Sequence, residues 1–186
     1  MLLEMTRAGA AAIGRLQHLA RLREDCALNH ESFVAEALPL IAEGAGCDRV
    51  SLWLYGPPRG AERVLHCRGL WVAGSTVADL PALVESAHPA YFAELDRRGI
   101  LRAPEAQAYP GLHSMRDSYL MPNDVRSLLD VPFAANGRRI GLLCAEQTGR
   151  TIDWLPSHVA FMRRAGITGT LLFQRLAEHE SLGAAM

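Results

Sequence analysis

Residues 123–149, NDVRSLLDVPFAANGRRIGLLCAEQTG, set three polar groups able to recognise a ligand into an otherwise apolar hairpin: the guanidinium of Arg126, the hydroxyl of Ser127 and the carboxylate of Glu146. Asn136-Gly137 predicts a two-residue type I′ turn, which fixes the register and lets partners be counted outward. On that count Phe133 faces Ile140, Val131 faces Leu142, Leu129 faces Cys144 and Ser127 faces Glu146, so three apolar pairs end in one polar pair. The other side carries Ala134/Arg139, Pro132/Gly141, Asp130/Leu143 and Leu128/Ala145. It is also mostly apolar, which predicts a hairpin covered on both faces with its polar end at the rim of a pocket. Arg126 offers an anionic ligand a fork of donors, but beside Asp124 and Asp130 the preferred reading is an ion pair ordering the strand entry. Glu146 is either a strand-end charge near solvent or a pocket acceptor.

Other reactive side chains are scattered. His113 and Asp117 stand at i and i+4 on a short helical stretch, two ligands where a metal site needs more, so no metal is assigned and a helix-surface or capping role is preferred. Cys26, Cys47, Cys67 and Cys144 lack C-x-x-C spacing. They read as small buried residues in a reducing compartment rather than as a zinc knuckle or redox pair. Trp53 and Tyr91 are aromatic residues with polar tips, suited to a core or to a pocket wall. No nucleophile with a base, and no pair of acids, stands together, so a non-enzyme is expected.

The elements that must position these groups follow from length and periodicity. With 186 residues, 49% apolar and 21% charged, the chain suits one compact core, and a net charge of −1 without a basic run disfavours nucleic acid and anionic membranes as partners. The start lacks a signal-peptide pattern and no window approaches a bilayer span, which predicts a cytoplasmic protein. Residues 2–23 read as an amphipathic helix carrying Leu16 and Leu19. Residues 31–43 read as a second helix, with Pro39 expected to bend or break it and Gly44 and Gly46 to stop it. DRVSLWLY (48–55) alternates as a strand, and 62–72 pairs back on it. AGSTVADL (73–80) reads as irregular connection. Residues 86–98 form a third helix closed by Gly99, 100–103 a short strand, 111–120 a short helix, and 157–180 a long helix with Phe161, Ala165, Thr168, Leu172 and Leu176 in one stripe. These pieces assemble as an α+β fold: a central antiparallel sheet of five or six strands, terminal helices on one face, short helices and loops on the other.

The strand DRVSLWLY, the HPAYFAEL helix, DSYLMPNDVRSLLDVPF, NGRRIGLLCAEQTGR and the downstream Trp154 together resemble a GAF domain over residues 32–177, most like those attached to bacterial histidine kinases or diguanylate cyclases. The resemblance implies a pocket opposite the terminal helices, walled here by Trp53, Tyr91, His113, Asp117, Arg126, Ser127 and Glu146. It also implies that the terminal helices are used for dimerisation. Bilin-binding members resemble a Cys-His dipeptide at the short helix, whereas Leu112 precedes His113. No cyclic-nucleotide signature of the N-K-x-F-D-E type is present, and the cysteines do not sit in loops over the pocket as in methionine-sulfoxide-reducing members. The expected organisation is an N-terminal signalling and dimerisation helix (1–28), a GAF domain (29–181) and a tail (182–186). The expected function is sensing of a small molecule, ligand and cofactor unassigned, by a homodimer. Occupancy would be passed through the terminal helices to a kinase or cyclase partner or a fused output. The alternatives are a degenerate domain, its pocket filled by Trp53, Tyr91 and Phe92, that serves only in docking, and a small redox enzyme using Cys67 or Cys144.

Overall fold

The computed structural model describes residues 6–24, 28–56, 62–72, 75–77 and 80–183, with the side chains of 24, 75–77 and 171–183 excluded. Cys26 and the side chains of Leu172 and Leu176 therefore lie outside the described residues. In chain order the elements are α1 (Arg7–Glu24), α2 (His30–Ala45), β1 (Arg49–Tyr55), β2 (Val64–Val72), β3 (Ser75–Val77), β4 (Leu83–Val84), α3 (Pro89–Arg98), β5 (Leu101–Ala103), short helical turns at Ala106–Ala108, Pro110–Met115 and Arg116–Leu120, β6 (Val125–Ala135), β7 (Arg138–Thr148) and α4 (Pro156–Gly183).

Six antiparallel strands run β3-β2-β1-β7-β6-β5, with β4 paired to the start of β2. The segment read as irregular contains β3, an edge strand of three residues that is too short to show periodicity. Alternation along the middle strands divides the apolar residues between two cores. Val50, Leu52, Leu129, Val131, Leu143 and Ala145 pack against Leu16 and Leu19 of α1, Phe33, Leu38 and Ile41 of α2, and Phe161 and Ala165 of α4. On the other face Trp53, Leu128, Leu142 and Cys144 pack against Tyr91, Phe92 and Leu95 of α3 and Leu112, Met115 and Leu120 of the short turns. The Leu16/Leu19 and Phe161/Ala165 stripes thus meet inside one chain, each residue at most 7% exposed, so they form its core rather than a free dimer face.

Pro39 does not break α2, which runs unbroken from Asn29, whose side chain caps Ser32 N, to Gly46. An interior proline costs about 3 kcal/mol. Burial of Phe33, Val34, Leu38 and Ile41 contributes about 1.5–3 kcal/mol for each side chain and outweighs it. Gly46, at φ 65°, ends the helix in the left-handed conformation. Gly44 does not stop it: it lies within the helix, where a Cβ would stand 2.2 Å from Phe161 Cζ and 3.0 Å from Ala12 Cβ. Gly44→Ala is therefore expected to lower the urea midpoint, because overpacking a core costs about 1–3 kcal/mol and exceeds the roughly 1 kcal/mol of helix propensity gained. Urea unfolding of the variant, and its rescue by Phe161→Leu, checks this. A raised midpoint would refute it.

The hairpin turn is as expected, with Asn136 and Gly137 both at positive φ (50° and 76°). Its register is not. Ala134 pairs with Arg139, but Phe133 pairs with Gly141, leaving Ile140 as an extra residue on β7. Every pair beyond it slips by one: Val131 meets Leu143, Asp130 meets Cys144, Leu128 meets Glu146, and Ser127 meets Gln147. Gly141 explains the site of the irregularity, since a Cβ there would lie 2.2 Å from the carbonyl oxygen of Trp53.

Candidate ligand pocket

The slipped register places two polar rows across three neighbouring strands. Ser51, Cys144 and Asp130 form one row, and Arg49, Glu146 and Leu128 the next. Trp53, two residues beyond Ser51 on β1, continues the same face. Above this face α3 contributes Tyr91 and its N-cap His88, the short turns Met115, Ser118 and Tyr119, and the segment before β4 Leu80 and Pro81. Together they enclose a cavity of about 400 Å³. A larger groove of about 680 Å³ runs between α1 and α2, but its charged pair, Arg15 and Glu43, is exposed and lends it no desolvated recognition group.

Three of the residues expected in the wall meet here: Trp53, Tyr91 and Glu146. The other four do not line the cavity. Ser127 faces the terminal-helix side, where its hydroxyl donates to Pro104 O (2.6 Å) and accepts from Ile152 N (2.8 Å). Arg126 is exposed and paired with Asp124 rather than Asp130. His113 and Asp117 are exposed on two separate turns, Asp117 beside Arg116.

The polar core of the site was legible only in part. Arg49, 6% exposed, was missed: its Nε donates to Glu146 Oε2 (2.9 Å) and its Nη2 to Tyr119 Oη (3.1 Å), while Tyr119 Oη donates to the same Oε2 (3.0 Å). The alternation that links Trp53 to Ser51 reaches Arg49 after two more residues, and that signal could have found it. Burial raises the Glu146 carboxyl above its ordinary value, and Arg49 and the Tyr119 hydrogen bond offset part of that rise. Asp130, 2% exposed, takes no part in the ion pair expected for Arg126. Instead its Oδ2 accepts from Tyr91 Oη (2.6 Å), while Oδ1 has no hydrogen-bond partner and only the thiol of Cys144, a weak donor, stands alongside. Burial pushes this carboxyl up to about 7. It also pushes up the Cys144 and Tyr91 groups, so neither is a ready nucleophile or base. Trp53 Nε1 donates to Ser51 Oγ (2.8 Å), which restrains the indole within the cavity lining.

An antiparallel sheet with a helical layer on one face and a roofed, partly polar cavity on the other defines an α+β domain of the pocket-bearing kind. The GAF domain family matches residues 29–167, and the chain belongs to that family. Among solved structures, the chain is similar to the blue-light-absorbing form of the Thermosynechococcus elongatus PixJ GAF domain (TM-score 0.61, 20% identity, 95% of each chain covered). It is also similar to the phycocyanobilin-bound GAF domain of a cyanobacterial phytochrome (TM-score 0.65, 15% identity, 95% of this chain and 96% of that one). A third likeness is to the GAF domain of a phosphoenolpyruvate-protein phosphotransferase from Coxiella burnetii (TM-score 0.61, 15% identity, 96% and 99%). At these identities the likeness is one of fold. No curated protein matches the sequence.

Proposed function

We propose that this GAF domain senses a small molecule bound in the cavity over β1, β6 and β7, and passes occupancy through α1 and α4 to an output partner or fused output domain of the histidine kinase or diguanylate cyclase type. The observation that carries the reading is the roofed cavity itself. Its volume lies at the lower end of the range for small-molecule sites, and desolvated polar groups stand on an apolar wall. Trp53 and Tyr91 border that space without filling it, which favours a sensor over a docking-only domain. The protonated state imposed on Cys144 favours a non-enzyme over a redox catalyst. The working form is a homodimer in the cytoplasm, and among the described residues no helix is long and apolar enough to cross a membrane. A ligand acts here by binding one arrangement of the terminal helices better than another.

Native mass spectrometry of gently purified protein, run beside denaturing mass spectrometry, tests the reading. The expected result is an added mass of a few hundred daltons that is lost on unfolding. An empty spectrum, together with no thermal shift across a metabolite set, would move the function to docking.

A further inference from the structure

Resting on the sensor reading, which puts a ligand in the cavity, we infer that this ligand is a flat organic molecule, neutral or cationic, that presents an N–H donor to Asp130 Oδ1. The same wall rejects carboxylates and phosphates.

Buried polar atoms are nearly always paired, and an unpaired one costs its full desolvation penalty. Of the unpartnered buried atoms among the described residues, Asp130 Oδ1 is the one on the cavity wall. Above pH 7, where Asp130 is ionised, this oxygen is an acceptor, so it calls for a donor. The opposite choice, an anion, finds no counter-charge. Arg49 stands behind Glu146 with its guanidinium directed to Glu146, Tyr119 and Asn123. His88, the one histidine in the lining, is bonded through Nδ1 to Ser114 Oγ (2.9 Å), and burial lowers its pKa, which keeps the ring neutral above pH 7. Glu146 is neutralised by Arg49, but above pH 7 the Asp130 carboxylate faces a guest from the sheet side with no cation beside it, and at close range in a poorly solvated site it repels an anion and attracts a cation. The aromatic rings of Trp53 and Tyr91 in the lining add to the preference, because aromatic rings attract cations and stack on flat ones.

Matched probes test the inference at pH 8. Benzamidine and 2-aminobenzimidazole present N–H donors, and benzoate and 2-naphthoate are their flat anionic counterparts without one. Binding is read from the indole N–H signal of Trp53 in the ¹⁵N spectrum, assigned by its loss in Trp53→Phe. The N–H probes are expected to bind at least tenfold more tightly than their carboxylate twins. Asp130→Asn is expected to weaken them at least tenfold while leaving the spectrum folded. Equal or tighter carboxylate binding, or unchanged N–H affinity in the variant, overturns the inference but leaves the pocket reading standing. The wild-type comparison decides even if the variant misfolds. If no probe of either kind moves the Trp53 signal, both fail.

Discussion

Asp130→Asn is expected to be more stable than the wild-type protein at pH 8, by an amount on the order of the 4 kcal/mol that the shift of its carboxyl from 3.8 to about 7 represents, less whatever the buried amide loses. The sign follows from proton binding. Between pH 4 and pH 7 the folded protein holds a proton on Asp130 that the unfolded chain has released, so wild-type stability falls through this window and stays lowered above it. Asparagine has no proton to lose, so the advantage of the variant is small at pH 4, grows to pH 7 and is flat beyond. The titratable groups facing Asp130 are Tyr91 from α3 and Cys144 and Glu146 from β7, with His88 also on the cavity wall. They are common to both proteins and largely cancel in the difference, apart from a small downward relaxation of Glu146. Urea unfolding of both proteins at pH 4, 5.5, 7 and 8 measures the curve. A variant less stable at pH 8, or a difference independent of pH, would show that the carboxylate is already satisfied. A residue that lowers the stability of the empty domain yet stands on a cavity wall is what a binding site retains for its ligand.

The second large effect belongs to Arg49. Arg49→Met is expected to lose about 3–5 kcal/mol, because it leaves Glu146, 2% exposed, as an unpaired buried carboxylate. The double variant Arg49→Met/Glu146→Leu is expected to recover most of that loss, since an apolar pair of similar volume restores packing without desolvating a charge. An exposed pair such as Arg15–Glu43 would cost at most about 1 kcal/mol. A double-mutant cycle by urea unfolding separates the cases. If the single variant loses less than about 1 kcal/mol, or if the double variant is worse than the single, the buried-pair description is wrong. Removal of Arg49 also takes a hydrogen bond from Tyr119, which belongs to the Arg116–Leu120 turn over the cavity, so the single variant should additionally loosen that turn.

The fold was readable from the sequence to the extent that local physics decides it. Helix stripes, alternation in β1, the Asn136-Gly137 turn and the Gly46 and Gly99 caps all act over a few residues, and the elements they predict are present. Register was not local. The bulge at Ile140 arises where Gly141 lies against the backbone of Trp53 from a strand nearly ninety residues earlier, and only the glycine inside the strand hinted at it. That one-residue slip removed Ser127 from the expected pairing with Glu146 and brought Asp130 level with Cys144. The side-chain chemistry of His113, Asp117 and Arg126 suits a pocket, but whether a charged group near a pocket turns into it or into solvent is decided by packing around the short turns and the entry to β6. Arg49 is not legible as a site residue because a charged residue at a strand start ordinarily meets water, and its burial depends on partners from β7 and the Arg116–Leu120 turn.

The middle strands are shared between two readers. Along β6, Leu128 and Asp130 look into the cavity, whereas Leu129 and Val131 are buried in the core that holds α4, so each cavity residue is flanked within one peptide by a residue seated beneath the helices. A strand so divided works as a seesaw plank: it cannot tilt toward a guest on one side without lifting its load on the other. If the cavity takes a guest, no chain of side chains is needed to carry its effect across the domain, because the sheet is only one backbone thick and each residue on one face is bonded to a neighbour on the other.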